Sequence, residues 1–328
     1  MILQEATAFL GTAWDRTRET LKTALRSDVS LLDAVNMSLL SNSGKLLRPI
    51  LSLLSASACR PGETLPPDAI RFAAVSELLH NASLIHDDVV DGAGKRRGRP
   101  TIHSVLGSPA AVLIGDFWLV KGVNLVLGSD CEEGPVLRLF AKTVSDLAEG
   151  EMLQLEKSGT ADTTEQDYER IIYNKTASLF RSAMVSGAIA VDAPEPFRKA
   201  VETYAVSLGM AFQVRDDLMD YGDAEDIGKP MGTDLREQKI TLPLLGALST
   251  LPPEEAEEVR GKVRSILEHP EYVTSIRALV LEKDGLGYAR KRMKEWIARA
   301  VGALSVLPDS PGKDFLSRIA VFVGERKK

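Results

Sequence analysis

Residues 76–91, SELLHNASLIHDDVVD, decide how the chain folds and where its chemistry lies. Apolar residues recur in this stretch at the three- and four-residue spacing of a helix, and the stretch ends in DDVVD at residues 87–91. Residues 204–220, YAVSLGMAFQVRDDLMD, follow the same plan and end in DDLMD at residues 216–220. The sequence therefore predicts two apolar helices, and the DDxxD at each carboxyl end is called here the first or the second acidic motif.

The outer aspartates of each acidic motif are four residues apart, Asp87 with Asp91 and Asp216 with Asp220. On a helix such residues share a face and lie about 6 Å apart along the axis. Their carboxylates repel one another, and the carboxyl end of a helix is itself negative. Solvated helix ends would be the simpler interpretation of one motif. Two identical motifs after apolar stretches instead favour oxygen ligands for Mg²⁺, which shares its coordination shell with substrate phosphates.

The rest of the chain shows the same helical spacing, and strand signals are nearly absent. Breaks rich in proline and glycine divide it, and none is long enough to be a flexible linker. They fall at residues 61–68 and 92–100 and near Pro109, Pro194, Pro252 and Pro308. The sequence predicts about a dozen helices in one all-α domain over residues 1–328.

Composition excludes several classes of protein. The 328 residues include 40 Lys and Arg against 46 Asp and Glu, and the resulting net charge of −6 argues against a nucleic-acid partner. Cys59 and Cys131 give neither a disulfide framework nor a metal-ligand spacing. The apolar stretch 110–127 contains Asp116 and Lys121, so we expect a buried helix and no transmembrane segment. Because no signal-peptide pattern is present either, a cytoplasmic location is expected.

Cationic side chains accompany the acidic motifs. The candidates are Lys95, Arg96, Arg97 and Arg99 after the first motif, Lys229 and Lys239 after the second, and Lys45, Arg48 and Lys175 elsewhere. Lys45 and Arg48 are one turn apart at a predicted helix start, where backbone N–H groups also attract anions. Lys175 lies within an apolar helical run, so we expect its side chain to face a cavity. Any one of these residues alone is typical of a solvated surface, but the set favours a diphosphate site.

Six segments within residues 44–245 form one combined pattern. They are GKLLRP, LLHNASLIHDDVVDGAGKRRGRPTIH, AVLIGDFWL, AEGEMLQL, NKTASLF and FQVRDDLMDYGDAEDIGKPMGTDLREQKITLPLL. The pattern resembles that of the trans-isoprenyl (polyprenyl) diphosphate synthases. The resemblance implies an all-α, single-domain helical bundle around a deep central cavity, usually a homodimer. It also implies a Mg²⁺-dependent, head-to-tail condensation of isopentenyl diphosphate with an allylic diphosphate primer.

The resemblance further implies roles for single residues. Asp87 and Asp91 would bind two Mg²⁺ ions on the allylic diphosphate, and Asp216, supported by Asp217 and Asp220, would bind a third. The pocket for isopentenyl diphosphate would comprise Lys45, Arg48, His80 and Arg97. The allylic diphosphate would contact Arg96, Lys175, Thr176, Gln213, Lys229 and Lys239. The candidate catalytic residues are then the six aspartates of the two motifs, Asp88 among them, and Lys175.

Departures from the family pattern are few. Ser43 stands where the family often has glycine, His103 where asparagine is common, and Gln238 where glycine often precedes the lysine. None of them replaces a charged ligand. They bear on the shape of loops and not on activity.

Product length depends on the residues one turn before the first acidic motif. Ala82 and Ser83 are small, where short-chain members of the family commonly carry an aromatic residue. The resemblance therefore implies a long all-trans product near octaprenyl, a quinone side-chain precursor that can be delivered to a membrane. On that basis Ala82→Phe should shorten the product. Small residues would also simply permit close packing of helices.

Other functions stay open at this stage. A short-chain farnesyl or geranylgeranyl diphosphate synthase would share both acidic motifs. A class I terpene cyclase would need no isopentenyl diphosphate and no GKLLRP segment. A non-catalytic partner subunit of a heteromeric synthase would usually lack the acidic motifs, which are intact here.

Overall fold

The computed structural model describes residues 2–42, 44–96, 98–130, 133–222 and 232–325. Seventeen α-helices occur in these residues. They are α1 Ile2–Leu10, α2 Thr12–Ala24, α3 Ser30–Ser41, α4 Leu47–Cys59, α5 Pro67–Val90, α6 Ile102–Leu106, α7 Ser108–Leu127, α8 Glu133–Thr160, α9 Glu165–Ile172, α10 Ser178–Ala190, α11 Glu195–Asp220, α12 Thr233–Arg236, α13 Leu242–Leu248, α14 Pro253–Arg264, α15 Tyr272–Glu282, α16 Gly285–Ala303 and α17 Pro311–Glu325. A π-helical turn, Tyr173–Ala177, joins α9 to α10, and a 3₁₀ turn, Leu304–Val306, follows α16. One antiparallel hairpin pairs β1 Lys95–Arg96 with β2 Arg99–Pro100.

The all-α prediction is confirmed, and each predicted break lies at a boundary between helices, with Pro67, Asp68 and Pro109 already in the first turns of α5 and α7. The described residues contain more helices than the dozen predicted. Two of the additional helices are short. α6 has five residues and α12 has four, too few to show a periodic pattern in the sequence. Another arises at Gly11, whose φ of 50° ends α1 and separates it from α2.

The chain forms two compact units, each assembled from separate stretches. Unit 1 comprises Met1–Val144, Leu179–Glu202 and Leu304–Leu316. Unit 2 comprises Ser145–Ser178, Thr203–Ala303 and Ser317–Lys328. The first acidic motif belongs to unit 1 and the second to unit 2. That all of this acts as one domain stays a prediction.

The core of unit 1 holds α5 in place through its contact with α7. Gly122 of α7 faces Val75 and Leu79 of α5, and a Cβ added there would lie at ordinary contact distance from both, at 3.7 and 3.6 Å. Trp118 of α7 is fully buried, and its Nε1 donates to Asn36 Oδ1 at 2.9 Å. These contacts fix the helix that carries the first acidic motif.

α7 is less buried than the sequence predicted. By length and composition it could cross a membrane, yet about a third of it is buried in the protein. One face packs on α5, while the other exposes a row of apolar side chains, called here the α7 stripe. The stripe consists of Val112, Leu113, Val120, Val123 and Leu127. The expectation of a buried helix is therefore wrong for this face.

The core of unit 2 surrounds the carboxyl half of α11. Val214 and Leu218 of α11 are fully buried in one apolar cluster with Tyr168 of α9 and Leu244 of α13. Because α11 is anchored on this apolar side, its acidic end is held in a fixed direction.

Candidate active site

The first acidic motif keeps helical geometry to its last residue. α5 ends at Val90, and Asp91 follows as its C-cap with φ −77° and ψ −8°. The Asp91 N–H donates to the Asp87 carbonyl at 2.8 Å. Asp87 is half-buried and Asp91 is exposed. The outer carboxylates therefore have the spacing of one helical turn that the sequence predicted.

Asp88, the second of the three aspartates in this motif and called here its middle aspartate, has a different environment. Its side chain is buried, and its Oδ1 accepts a hydrogen bond from Arg96 Nε at 2.7 Å. The ion pair attaches the β1–β2 hairpin to the end of α5. Arg96, predicted to contact the allylic diphosphate, is thus oriented by the motif itself.

The hairpin presents further cations beside the motif. Lys95 and Arg99 are exposed on it, and Gly98, with φ of 77°, makes its turn. Thr101 Oγ1 donates to the Ala93 carbonyl at 2.6 Å and closes the loop. Arg97, predicted in the isopentenyl diphosphate pocket, lies outside the described residues.

The predicted Lys45–Arg48 turn precedes and begins α4. Leu46 between them has a φ of 51°, a left-handed conformation that costs a residue with a side chain about 1 kcal/mol. Lys45 is exposed, and the Arg48 guanidinium lies 5.0 Å from the centre of the Phe180 ring. His80, assigned to the same pocket, is half-buried on α5.

The two candidate chain-length residues face different ways. Ala82 is buried in an apolar cluster with Leu78 and Trp118, where α5 meets α7. Ser83 is half-buried, four residues before Asp87, and so shares its helical face. Close packing therefore accounts for Ala82, while Ser83 lies on the same helical face as Asp87, a predicted metal ligand.

The second acidic motif lies wholly within α11. Asp216 is exposed, and Asp220 is half-buried. The two carboxylate oxygens of Asp220 accept hydrogen bonds from the Thr233 and Asp234 N–H groups, at 3.0 and 3.1 Å. Asp220 therefore caps α12.

The middle aspartate of the second motif, Asp217, is buried, as Asp88 is in the first. Its Oδ2 accepts from the Tyr168 hydroxyl at 2.6 Å, and its Oδ1 accepts from Gln213 Nε2 at 3.0 Å. Burial raises the pKa of Asp217 to about 7; the neighbouring Asp216 and Asp220 charges add to the rise, and the two hydrogen bonds oppose it. Burial likewise raises the pKa of Asp234 well above its usual value.

Both motifs thus share one arrangement, in which the middle aspartate is buried and paired and the outer ones lie closer to solvent. Carboxylates such as those of Asp87, Asp91 and Asp216 are the oxygen ligands that Mg²⁺ prefers, whereas both oxygens of Asp220 already accept N–H groups of α12. No group of three or more acidic, histidine or cysteine side chains in the described residues is arranged to hold a metal alone.

The predicted pair Lys175 and Thr176 lies in the π-helical turn. Lys175 Nζ is 2.5 Å from Glu151 Oε2, and Thr176 Oγ1 donates to Gln213 Oε1 at 2.8 Å. The Lys175 ammonium forms an ion pair with Glu151, and that it faces a cavity stays a prediction. π-turns are frequent at functional sites.

Two glycines make room for this turn. A Cβ on Gly150 of α8 would lie 2.7 Å from Asn174 Cβ, and one on Gly209 of α11 would lie 2.6 Å from Ala177 Cα. Both distances are shorter than real contacts allow. The two helices therefore approach the π-turn as closely as their backbones permit.

The segment after the second motif explains one departure from the family pattern. Gln238 has a φ of 57°, a conformation that glycine adopts without strain. Its Nε2 compensates by donating to the Arg264 carbonyl at 2.7 Å. Lys239 is half-buried and paired with Glu237, and Lys229 lies outside the described residues.

Comparison with known proteins identifies the family. The family model for polyprenyl synthetases matches residues 29–280. The chain belongs to the polyprenyl synthetase family. It is therefore a prenyltransferase of isoprenoid biosynthesis, a family that uses isopentenyl diphosphate and allylic diphosphates.

Two curated polyprenyl synthetases are similar to most of the chain. The all-trans-nonaprenyl-diphosphate synthase (geranyl-diphosphate specific) of Rhodobacter capsulatus is 39% identical over 287 residues, which cover 87% of this chain and 86% of that protein. The octaprenyl diphosphate synthase of Escherichia coli K12 is 38% identical over 313 residues, 93% of each chain.

Solved structures of the family have the same fold. A decaprenyl diphosphate synthase from Rhodobacter capsulatus matches with a TM-score of 0.90 and 32% identity, covering 99% of both chains. A polyprenyl synthase from Caulobacter crescentus CB15, complexed with calcium and isoprenyl diphosphate, matches with a TM-score of 0.88 and 30% identity. This second match covers 99% of this chain and 98% of that one.

Gly209→Ala tests the fit of the π-turn. The added methyl group would overlap Ala177, so we expect a loss of about 1–3 kcal/mol in the free energy of unfolding. Turnover should fall with it, because the turn carries Lys175 and Thr176. Urea unfolding and initial rates measure both effects. Gly159→Ala in α8, with no atom near the added methyl, is the control; equal behaviour of the two variants would contradict the tight fit.

Proposed function

We propose that this protein makes a long all-trans polyprenyl diphosphate, near octaprenyl, from isopentenyl diphosphate and an allylic primer. The observation that carries the proposal is the pair of acidic motifs, each with a buried middle aspartate and with outer aspartates that lie closer to solvent. The octaprenyl and nonaprenyl synthases that resemble this chain at 38% and 39% identity support the long product. A quinone side-chain precursor is a product of this kind.

The reaction breaks the allylic C–O bond and forms a C–C bond. The diphosphate leaves with the bonding electrons, the isopentenyl double bond attacks the allylic cation, and a proton is then lost, with the released diphosphate as the base. Mg²⁺, for which we propose three ions, supplies charge neutralisation of the leaving diphosphate when bound. A dry, apolar wall protects the cation from water.

This chain's own residues orient the diphosphates. Asp87, Asp91 and Asp216 present carboxylates to the ions, and Lys175 and Arg96 give directed N–H groups to the allylic diphosphate. Both cations have carboxylate partners already, Glu151 and Asp88, so each side chain is held near its working position before substrate arrives.

Product mass tests the proposal. Incubation with Mg²⁺, farnesyl diphosphate and labelled isopentenyl diphosphate should give a ladder that ends at one long polyprenyl diphosphate. Asp87→Ala and Asp216→Ala should each lower turnover by about two to three orders of magnitude with unchanged helicity. Asp309→Ala, at a fully exposed aspartate, is the control. A ladder ending at farnesyl or geranylgeranyl would overturn the long product, and no incorporation would overturn the synthase.

Ser83→Phe tests the control of product length. Because Ser83 shares the helical face of Asp87, a phenyl ring there should block the growing chain and shift the product mass to about the farnesyl or geranylgeranyl range. Ala82→Phe should also shorten the product, but with a stability loss of about 1–3 kcal/mol, since Ala82 packs against α7. Unchanged products from both variants would remove this turn of α5 from the product path.

We propose that the protein is a homodimer joined through the α7 stripe. The stripe places five exposed apolar side chains on one helix, with the exposed Asp116 between Leu113 and Val120, and apolar patches on a protein surface mark contact sites. A second copy related by a two-fold axis would bury the same row on each chain.

Leu113→Asp tests the dimer. Leu113 is 69% exposed in the stripe, and a charge there should give a monomer of 35.6 kDa in light scattering, against twice that mass for the wild type. Leu267, also 69% exposed but in unit 2, supplies the matched control Leu267→Asp, which should stay dimeric. A monomeric wild type would contradict the proposal.

We also propose that residues 1–328 act as one domain and that the protein is cytoplasmic. The family model matches residues in both units, and the octaprenyl synthase aligns over 93% of the chain. Cys59 is a buried, free cysteine, which suits a reducing compartment.

A further inference from the structure

Tyr168 of α9 lies beside the second acidic motif and belongs to none of the predicted contact sets. Its side chain is only 3% exposed and packs in the apolar cluster of unit 2. Its hydroxyl donates to Asp217 Oδ2 at 2.6 Å. Because the ring is held on all sides, the hydroxyl is delivered to one fixed position.

Asp217 is held by donors from two directions. Tyr168 of α9 donates to one carboxylate oxygen, and Gln213, one turn earlier in α11, donates to the other at 3.0 Å. Turning Asp217 outward would leave the buried Tyr168 hydroxyl and the half-buried Gln213 amide without this acceptor, which is unfavourable. The two bonds therefore keep the inner carboxylate away from the metal-facing side. Removing the Tyr168 hydroxyl would leave the buried Asp217 carboxylate with one of these two hydrogen bonds.

The hydrogen bonds continue beyond Asp217. Gln213 Oε1 accepts from Thr176 Oγ1 at 2.8 Å, so three consecutive bonds run from Tyr168 to the π-turn. Gln213 can accept with its oxygen and donate with its nitrogen only in this one orientation. The line ties α9, the end of α11 and the π-turn into one arrangement.

We propose that Tyr168 is a positioning residue for the second acidic motif, fixing Asp217 so that Asp216 and the Gln213–Thr176 pair face a Mg²⁺–diphosphate complex in one geometry. The inference rests on the proposed function. Tyr168 acts through Asp217 and contacts neither ion nor substrate in this role. Groups that orient metal-binding side chains in this way typically affect affinity or activity by about 10- to 100-fold.

Tyr168→Phe tests the role, because it removes the hydroxyl and keeps the packed ring. Mn²⁺ binding is followed by the electron paramagnetic resonance signal of the free ion, with farnesyl thiolodiphosphate as a substrate analogue that does not ionise. We expect about tenfold weaker Mn²⁺ binding and a similar fall in kcat. The KM for isopentenyl diphosphate should stay within about twofold, since that substrate is assigned to other residues.

Tyr288→Phe is the matched control. The Tyr288 hydroxyl donates to Glu165 of α9, also at 2.6 Å, and anchors the same helix to α16 instead of α11. The Tyr288→Phe substitution should lower the unfolding midpoint and leave the Mn²⁺ affinity within about twofold of that of the wild type. Wild-type Mn²⁺ affinity and kcat in Tyr168→Phe, with a normal product ladder, would overturn the role of Tyr168 alone. Failure of the wild type to bind Mn²⁺ would overturn this role and the proposed function together.

Discussion

Repulsion between carboxylates at the ends of two helices is the constraint on which the rest of this structure depends. Each of α5 and α11 ends with three aspartates, where the helix dipole already disfavours negative charge. Such ends are unfavourable until a cation is bound, so the folded chain must hold them in place by other means. Apolar burial of the preceding turns does this, through the contact with α7 for α5 and through the cluster around Leu218 for α11.

The middle aspartates make the arrangement specific. Asp88 is neutralised by Arg96, and Asp217 is held by Tyr168 and Gln213, so each inner carboxylate is removed from the outward face. The outer aspartates lie closer to solvent, and in the proposed function Asp87, Asp91 and Asp216 are the ligands of an ion that brings its own phosphate oxygens. The DDxxD pattern therefore combines a buried, paired aspartate with two outer aspartates that lie closer to solvent.

The sequence predicted the helical fold, the breaks and the position of both acidic motifs, because these depend on local periodicity and on proline and glycine. It did not predict the π-turn or the pairs Lys175–Glu151 and Tyr168–Asp217. Those depend on which helices meet, and the partners are 24 and 49 residues apart along the chain. The only sequence signal for Glu151 was its place in AEGEMLQL, which shows no partner. The exposed face of α7 was missed because apolar composition is the same for a buried helix and for a contact surface.

Anomalous diffraction from crystals grown with Mn²⁺ and inorganic diphosphate tests most directly whether the outer aspartates bind metal and the middle aspartates do not. The account predicts manganese peaks about 2.1 Å from carboxylate oxygens of Asp87, Asp91 and Asp216. It predicts none at the buried Asp88 and Asp217, which should keep their bonds to Arg96 and Tyr168. A peak within ligand distance of either middle aspartate would contradict it.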